Sequence, residues 1–311
     1  MYKKINAILK KPNPLIVILG PTASDKTALS LNLAKKYNCE IISADSRQIY
    51  KYMNISTDKI SRRQMRGIRH HLINFIEPDR IYTVAEWKRD ALKTMDNIYK
   101  RKKIPMIVGG TGLYINSIIY DYDIPLIPPQ MNFRRRLEAL AKKYGVPYIY
   151  KKLQKIDPQA AVKILPNNIR YIIRALEINK FGKSNKIDRR SRRVRPNTIL
   201  IGIKHPREEL YRRIDMRVDK QVECGLFEET AKLAKKYDST LPSMTAIGCK
   251  EILPYLKGEK SLAETVQRLK YNTHNYARRQ IAWFKREKKI IWLKPGELDK
   301  ILSTCRTNSK N

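Results

Sequence analysis

Several things are scarce in this chain of 311 residues, and each scarcity excludes something. Only four cysteines occur, Cys39, Cys224, Cys249 and Cys305, far apart and without a C-x-x-C pair. Free thiols in a reducing compartment are the simplest reading, and neither a disulfide framework nor a zinc site is expected. No run of eighteen apolar residues exists, so no transmembrane helix is expected. The opening "MYKKINAILKKPNP" carries charges at both ends of an apolar stretch too short for a signal peptide, and a cytoplasmic protein is expected. Acidic side chains are also scarce: 29 Asp and Glu stand against 65 Lys and Arg, a net charge of +36. Such a balance suits a polyanionic partner, because lysine and arginine neutralise phosphates and release counterions. Basic residues nevertheless recur along nearly the whole length, so a composition rich in Lys, Ile, Asn and Tyr accounts for the same excess.

What is present reads as alternating strands and helices. The apolar run Leu15 to Leu19 enters a glycine loop, and helical spacing follows through Ala28, Leu29, Leu31, Leu33 and Ala34. "CEIISAD" (39–45) reads as a second buried strand ending in a carboxylate. A helix from about 84 to 102 leads to a third short strand (104–108) followed by glycines. This alternation predicts a parallel sheet covered on both faces. From Asp121 the texture changes to a proline-studded linker, helical spacing and then a basic loop, "FGKSNKIDRRSRRVRPN". "TILIGIK" (198–204) returns to the sheet, three helices are expected next, and "KIIWL" closes as a strand. The expected architecture is an α/β phosphate-loop core, residues 1–120 and 197–311, interrupted by a helical insertion at 121–196.

The segment "LIVILGPTASDKTALS" (15–30) fits G-x-x-x-x-G-K-[ST] except at one position. Gly20, Lys26 and Thr27 stand where the pattern places them, and Asp25 replaces the second glycine. In such a loop (Gly20, Pro21, Thr22, Ala23, Ser24, Asp25, Lys26, Thr27) backbone amides converge on a phosphate and the following helix adds its positive end. Lys26 would reach phosphate oxygens and the Thr27 hydroxyl would sit on Mg²⁺. A like charge at Asp25, about 4 Å from a phosphate oxygen, costs about 4 kcal/mol at an effective dielectric of about 20. That corresponds to several hundred-fold in affinity. Weakened binding is therefore expected, with Asp25→Gly improving it, although Lys26 and Mg²⁺ would offset part of the repulsion and aspartate tolerates φ > 0.

Seven further blocks follow in order: "ISADSRQIY" (42–50), "HHLINFIEP" (70–78), "TVAEWKRDA" (83–91), "VGGTGLYI" (108–115), "RYIIRALEI" (170–178), "AIGCKEI" (246–252) and "YARRQIAWF" (276–284). From about Leu15 to Leu293 the chain resembles the tRNA dimethylallyltransferase (isopentenyltransferase) family. The resemblance implies transfer of a dimethylallyl group from dimethylallyl diphosphate to N6 of adenosine 37 beside the tRNA anticodon, giving i6A. The phosphate loop would then hold the diphosphate of the prenyl donor.

By the same resemblance, Asp45 acts as general base on the attacking amine, a role that suits a carboxylate at a strand's end. On the residues alone, Asp45 could equally cap a helix or hold Arg47. Thr111 is carried over as the hydroxyl near the reacting groups, and Arg217 as the arginine that steadies the leaving diphosphate; Arg212 and Arg213 are as basic. Residues expected toward the tRNA are Asp45, Ser46, Arg47, Gln48 and Thr111, then Arg134 (with Arg135 or Arg136 as substitutes), Arg170, Tyr171, Ile172, Ile173 and Arg174. They continue with Thr245, Ala246, Ile247, Gly248, Cys249 and Lys250, and with Thr273, His274, Asn275, Tyr276, Ala277, Arg278, Arg279 and Gln280. Arginines interleaved with aromatic rings suit phosphate contact and base stacking, though a surface helix burying an aromatic stripe has the same pattern. The target base would leave its stack to reach the donor. His70 and His71 point apart as neighbours and are expected to be structural.

Some blocks depart from the family: "STDK" (56–59) stands for G-T-A-K, Asn74 for an aspartate, Cys249 for a tyrosine, and His274-Asn275 for Arg-Gln. The expected cofactor is Mg²⁺, the partners are a tRNA anticodon stem-loop and the prenyl diphosphate, and the default state is a monomer. Two rival readings are a tRNA-binding homologue without catalysis, marked by Asp25, and a small-molecule phosphate-loop kinase.

Overall fold

The computed structural model describes residues 1–125, 127–182 and 194–307, with side chains to Ile301. The core of the basic loop, 183–193, and the Cys305 side chain lie outside the described residues. The chain runs α1 (Tyr2–Leu9), β1 (Leu15–Leu19), α2 (Lys26–Tyr37), β2 (Cys39–Ala44), β3 (His70–His71), α3 (Val84–Lys100), β4 (Ile104–Gly109) and α4 (Gly112–Ile119). It continues α5 (Met131–Tyr144), α6 (Val146–Ile156), α7 (Pro158–Lys163) and α8 (Ile169–Phe181). Then come β5 (Thr198–Ile203), α9 (Arg207–Glu223), α10 (Leu226–Lys236), α11 (Cys249–Leu256), α12 (Leu262–Phe284), β6 (Ile291–Leu293) and α13 (Pro295–Thr307).

The six strands form one all-parallel sheet in the order β3-β2-β4-β1-β5-β6. β1 is β-branched and apolar, and all five of its residues are buried because both faces of the sheet are covered. Its side chains alternate: Leu15, Val17 and Leu19 join one core with Trp87 and Ile118, while Ile16 and Ile18 join another with Leu29 and Leu33. α3 begins at a capping box, with Thr83 Oγ1 accepting from the Glu86 amide at 3.2 Å and the Glu86 carboxylate accepting from the Thr83 amide at 2.8 Å. One turn on, the buried Trp87 stacks on Tyr114 at 4.5 Å and its Nε1 donates to the Ser43 carbonyl at 3.0 Å. This fixes the end of β2, the strand that delivers Asp45.

Four helices, not the three expected, lie between β5 and β6. The extra break comes from α11, eight residues long and begun by Gly248 at φ 105°, too short to register as its own period. The helices α1 and α13 were not anticipated either; Ile5, Leu298 and Ile301 seal one face of the sheet.

The contacts divide the chain into two units, Met1–Asp121 with Arg193–Asn311, and Tyr122–Arg192. The second unit is helical, with Leu137, Ile149, Leu153, Ile172 and Leu176 at its centre. Its fully buried carboxylate, Glu177, accepts from Arg134 at 2.6 and 2.8 Å, from Arg174 at 2.5 Å and from the Gln130 amide at 2.7 Å. Burial pushes this carboxyl up, but the bonds from Arg134, Gln130 and Arg174 outweigh it and hold the pKa at about 2, against 4.5. A depressed carboxyl contributes stability above about pH 4.5 that is lost as the pH falls toward 2. Glu177→Gln is expected to lower unfolding stability at pH 7 by about 3–5 kcal/mol, since it leaves guanidinium charge uncompensated. Urea unfolding of the full chain at pH 7 and pH 3 checks both points: the gap between wild type and variant should shrink at the lower pH.

Candidate active site

Three neighbouring strands, β2, β4 and β1, end side by side, and each hands over a different functional segment. β1 runs into the loop Gly20–Thr27, β2 into Asp45, and β4 into Gly109-Gly110-Thr111-Gly112. This carboxyl edge is where open parallel sheets bind ligands. The glycines are required by close approach: a Cβ on Gly109 would lie 2.2 Å from the Ala44 carbonyl oxygen, and one on Gly110 2.1 Å from Gln280 Nε2. Their absence of side chains lets the two strand ends and α12 meet.

The loop is held from both sides. The Thr22 amide donates to Gln280 Oε1 at 2.9 Å, and Gln280 Nε2 donates to the Gly110 carbonyl at 3.0 Å, linking the loop to the glycine turn. Ser24 Oγ donates to the Pro21 carbonyl at 2.8 Å, and Lys26 Nζ to the same oxygen at 2.5 Å. Ala23 and Asp25 both adopt left-handed backbone, φ 58° and 63°. For a non-glycine residue this costs roughly 1–2 kcal/mol, least for Asp and Asn. Burial and the nearby Arg217 lower the Lys26 ammonium to about 8, against the opposing pull of Asp45 and Asp25. The Thr27 side chain is exposed.

The isolated like charge expected at Asp25 is not what the structure contains. Asp25 is ion-paired with Arg213 of α9, whose Nε also donates to the Ala23 carbonyl at 3.0 Å. One turn further along α9, Arg217 donates to Thr22 Oγ1 at 2.8 Å and faces Asp58 at 3.3 Å. The carboxylate is thus paired before any phosphate arrives and repels it less than a lone charge would.

Asp45 Oδ1 accepts from the amides of Arg47 at 2.8 Å and Gln48 at 3.3 Å, so it does organise the turn that follows it. Among the described residues Oδ2 accepts no hydrogen bond, and Asp45 lines the cleft. The Ser46 amide donates to Thr111 Oγ1 at 3.0 Å, tying that hydroxyl to the residue that follows Asp45. Tyr276 of α12 completes the group: burial and then the Asp45 charge raise its phenol, and the Thr111 hydroxyl opposes them. The cleft is about 1500 Å³ and is lined by the loop, Asp45, Gln48, Arg217, Tyr276 and Gln280.

Several residues expected to face a nucleic acid are buried or engaged by other residues of the protein. Ile172 and Ile173 of α8 and Ala277 of α12 are core because the apolar stripe of each helix turns inward. Ala246, in the turn before α11, and Cys249, its first residue, are buried as well. Arg134 and Arg174 are tied to Glu177, and Arg47 donates to the Pro242 carbonyl. Gln48 Nε2 donates to the Thr57 carbonyl at 3.1 Å, and the buried Gln280 braces the loop. His274 stacks on Tyr211 at 4.1 Å and faces Asp215 at 2.8 Å, Thr273 bonds back to the Leu269 carbonyl, and Asn275 accepts from Arg278. Gly248 is buried and Ile247 packs against the core of α9, α11 and α12. Arg135, Arg136, Arg170, Tyr171, Thr245, Lys250, Arg278 and Arg279 are exposed.

His71 meets the buried Glu40 at 2.7 Å and His70 the Ile68 carbonyl at 2.8 Å. Sequence reasoning missed the bracing role of Gln280, 258 residues from its partner, and that of Arg213. It also missed Lys59, whose Nζ donates to Asn74 Oδ1 at 2.9 Å and to the Tyr50 carbonyl. Burial lowers that ammonium to about 8, opposed by Glu229 and Asp45.

A phosphate loop at one strand end, with a carboxylate and a hydroxyl at the next two, defines a phosphate-loop α/β protein equipped for group transfer. Comparison with known proteins agrees: the family model of the IPP transferases matches residues 48–287. A tRNA dimethylallyltransferase of Thermoanaerobacter sp. (strain X514) is 47% identical over 285 residues, 89% of this chain and 90% of that one. Among solved structures, a full-length tRNA isopentenylpyrophosphate transferase from Bacillus halodurans superposes with a TM-score of 0.70 at 39% identity, covering 96% of both chains. A eukaryotic dimethylallyltransferase described as acting on tRNA gives 0.74 at 28% identity, over 91% of this chain and 74% of that one. The chain belongs to the IPP transferase family.

Replacing Gln280 by Leu leaves the Thr22 amide and the Gly110 carbonyl without their partner. A stability loss of about 1–3 kcal/mol is expected in urea unfolding at pH 7.

Proposed function

We propose that this protein transfers a dimethylallyl group from dimethylallyl diphosphate to N6 of adenosine 37 of tRNA, beside the anticodon. The observation that carries the reading is the meeting of Asp45, Thr111 and the phosphate loop at three adjacent strand ends. The relatives bear names of this activity, which supports the same assignment.

The loop amides and Lys26 bind the donor's diphosphate, and Arg217, one hydrogen bond from Thr22, neutralises charge as it leaves. The N6 lone pair forms a bond to the donor's terminal carbon as the carbon–oxygen bond to diphosphate breaks. Asp45 receives the proton that N6 loses, with Thr111 positioned beside it. The target base would be extruded from its stack into the cleft to reach the donor.

Mg²⁺ fits as a cofactor on the chemistry of the donors at hand: the exposed Thr27 hydroxyl and diphosphate oxygens are the hard ligands it prefers. Among the described residues no group of three or more His, Cys, Asp or Glu side chains could hold a metal, so an ion here leans on the substrate's own oxygens. When bound it would add positive charge against the leaving diphosphate.

Arg135, Arg136 and Arg170 of the second unit are exposed, and Tyr171 follows Arg170 in the chain. Arg278 and Arg279 are exposed on the first unit. Each set by itself offers the phosphate and base contacts that an anticodon stem-loop takes. We place the protein in the cytoplasm as a monomer; among the described residues no helix is long and apolar enough to cross a membrane. Asp25 was the reason to consider a non-catalytic homologue, and its pairing with Arg213 removes that reason.

Single-turnover transfer of labelled dimethylallyl diphosphate to an unmodified anticodon stem-loop tests the reading. Wild type should transfer label, and Asp45→Asn should lose about 10²–10⁴ in rate while still binding the RNA. Tight RNA binding without transfer by wild type would overturn it. RNA affinity should also fall linearly in log–log with salt, with Arg278→Ala and Arg279→Ala each reducing the slope by about 1.

A further inference from the structure

Asp25 breaks the glycine rule of the phosphate loop, yet its surroundings are built to receive a carboxylate. Its partner Arg213 holds the loop at two points on either side of Ser24: the Asp25 carboxylate and, through Nε at 3.0 Å, the Ala23 carbonyl. Both of those loop residues are in left-handed backbone, at φ 58° and 63°. Ser24 between them is buried and bonded to the Pro21 carbonyl at 2.8 Å. Glu209, one turn before Arg213 on α9, faces the same guanidinium at 3.6 Å. Arg217, one turn after it, reaches Thr22 Oγ1. Side chains four apart share a helix face, so α9 lays two arginines along the loop, one on Asp25 and one on Thr22.

We propose that Asp25 is a positioning residue for the diphosphate: through Arg213 it fixes the loop's left-handed turns and the register of α9. Glycine, the residue the loop pattern asks for, would therefore weaken donor binding in this chain instead of improving it. Glycine accepts the same backbone angles but many others too, so it frees the turn it is meant to hold. It also leaves Arg213 without its loop carboxylate, in a segment already carrying Lys26 and Arg217. This inference rests on the diphosphate-binding role of the loop and not on the identity of the acceptor.

The test is calorimetric titration of inorganic pyrophosphate, in magnesium-containing buffer, into wild type, Asp25→Gly, Arg213→Ala and the double variant. Thermal melts confirm that each variant is folded. The inference expects Asp25→Gly to weaken pyrophosphate binding about ten-fold, which is about 1.4 kcal/mol. The double variant should bind no more weakly than Arg213→Ala alone, the non-additivity of two members of one unit. In the transfer reaction the loss should fall on KM for the donor more than on kcat, and Asp25→Asn should recover part of it. Unchanged or tighter binding by Asp25→Gly overturns the inference, as does an additive double variant. Wild type that binds pyrophosphate but transfers nothing overturns the proposed activity alone, and the binding series still decides the role of Asp25. Wild type that binds no pyrophosphate overturns both.

Discussion

The close approach of β4 to the end of β2 is the constraint on which the rest of the site depends. With 2.2 Å between the Ala44 carbonyl oxygen and any Cβ at position 109, only glycine lets the two strands finish level. Thr111 can then accept from the Ser46 amide, and Asp45 sits beside it. The next glycine admits Gln280 from α12, which reaches through to the Thr22 amide. A carboxylate, a hydroxyl and a phosphate loop are thereby set in place by the strand ends together with the Gln280 bridge. Chemistry that must align an amine, an allylic carbon and a diphosphate gains from such preorganisation.

Several of the scarce acidic residues hold structure. Glu177 gathers two arginines and an amide in the helical unit. Glu40 at the start of β2 accepts from His71 and from Arg101, both at 2.7 Å; burial raises its carboxyl, but those bonds outweigh burial and hold it at about 2. Asp25 does the same for the loop. Because so few carboxylates are available and several are consumed internally, most lysines and arginines are left to solvent. The charge excess therefore becomes a surface property, the form in which it can meet a phosphate backbone.

How much of this was legible in the sequence follows from the range over which each feature is determined. β1, α2, β2, α3 and β4 were readable because apolar spacing and glycine punctuation are local. Asp45 and the loop were readable as candidates for the same reason, each standing at the end of its own strand, whereas Thr111 was named through the family resemblance. α11 was hidden because eight residues give barely two turns of period. Within "RYIIR" the motif was visible but its faces were not: helical geometry turns Ile172 and Ile173 inward and Arg170 outward, and Glu177, seven residues past Arg170, claims Arg174. Gln280 was expected toward the tRNA and Arg213 named only as an alternative to Arg217; their bracing roles could not be read, since their partners lie 258 and 188 residues away.

Asp25 is where local and distant information give opposite answers. Read within the loop, it is an extra negative charge beside a phosphate and a side chain where glycine belongs, and both count against binding. Read with α9 in place, the charge is neutralised and the side chain becomes the handle by which a helix grips the loop. Repulsion between Asp25 and a phosphate is only part of the balance, because Arg213 brings a third charge. A cation in direct contact with Asp25 offsets, at the phosphate, part of what the carboxylate does there, by an amount set by its own distance from that phosphate. What survives is the geometric effect of the pair, which acts on backbone angles and does not fade with salt as a repulsion between exposed charges would. A motif mismatch of this kind is therefore judged by what the mismatched side chain touches, not by its distance from the consensus.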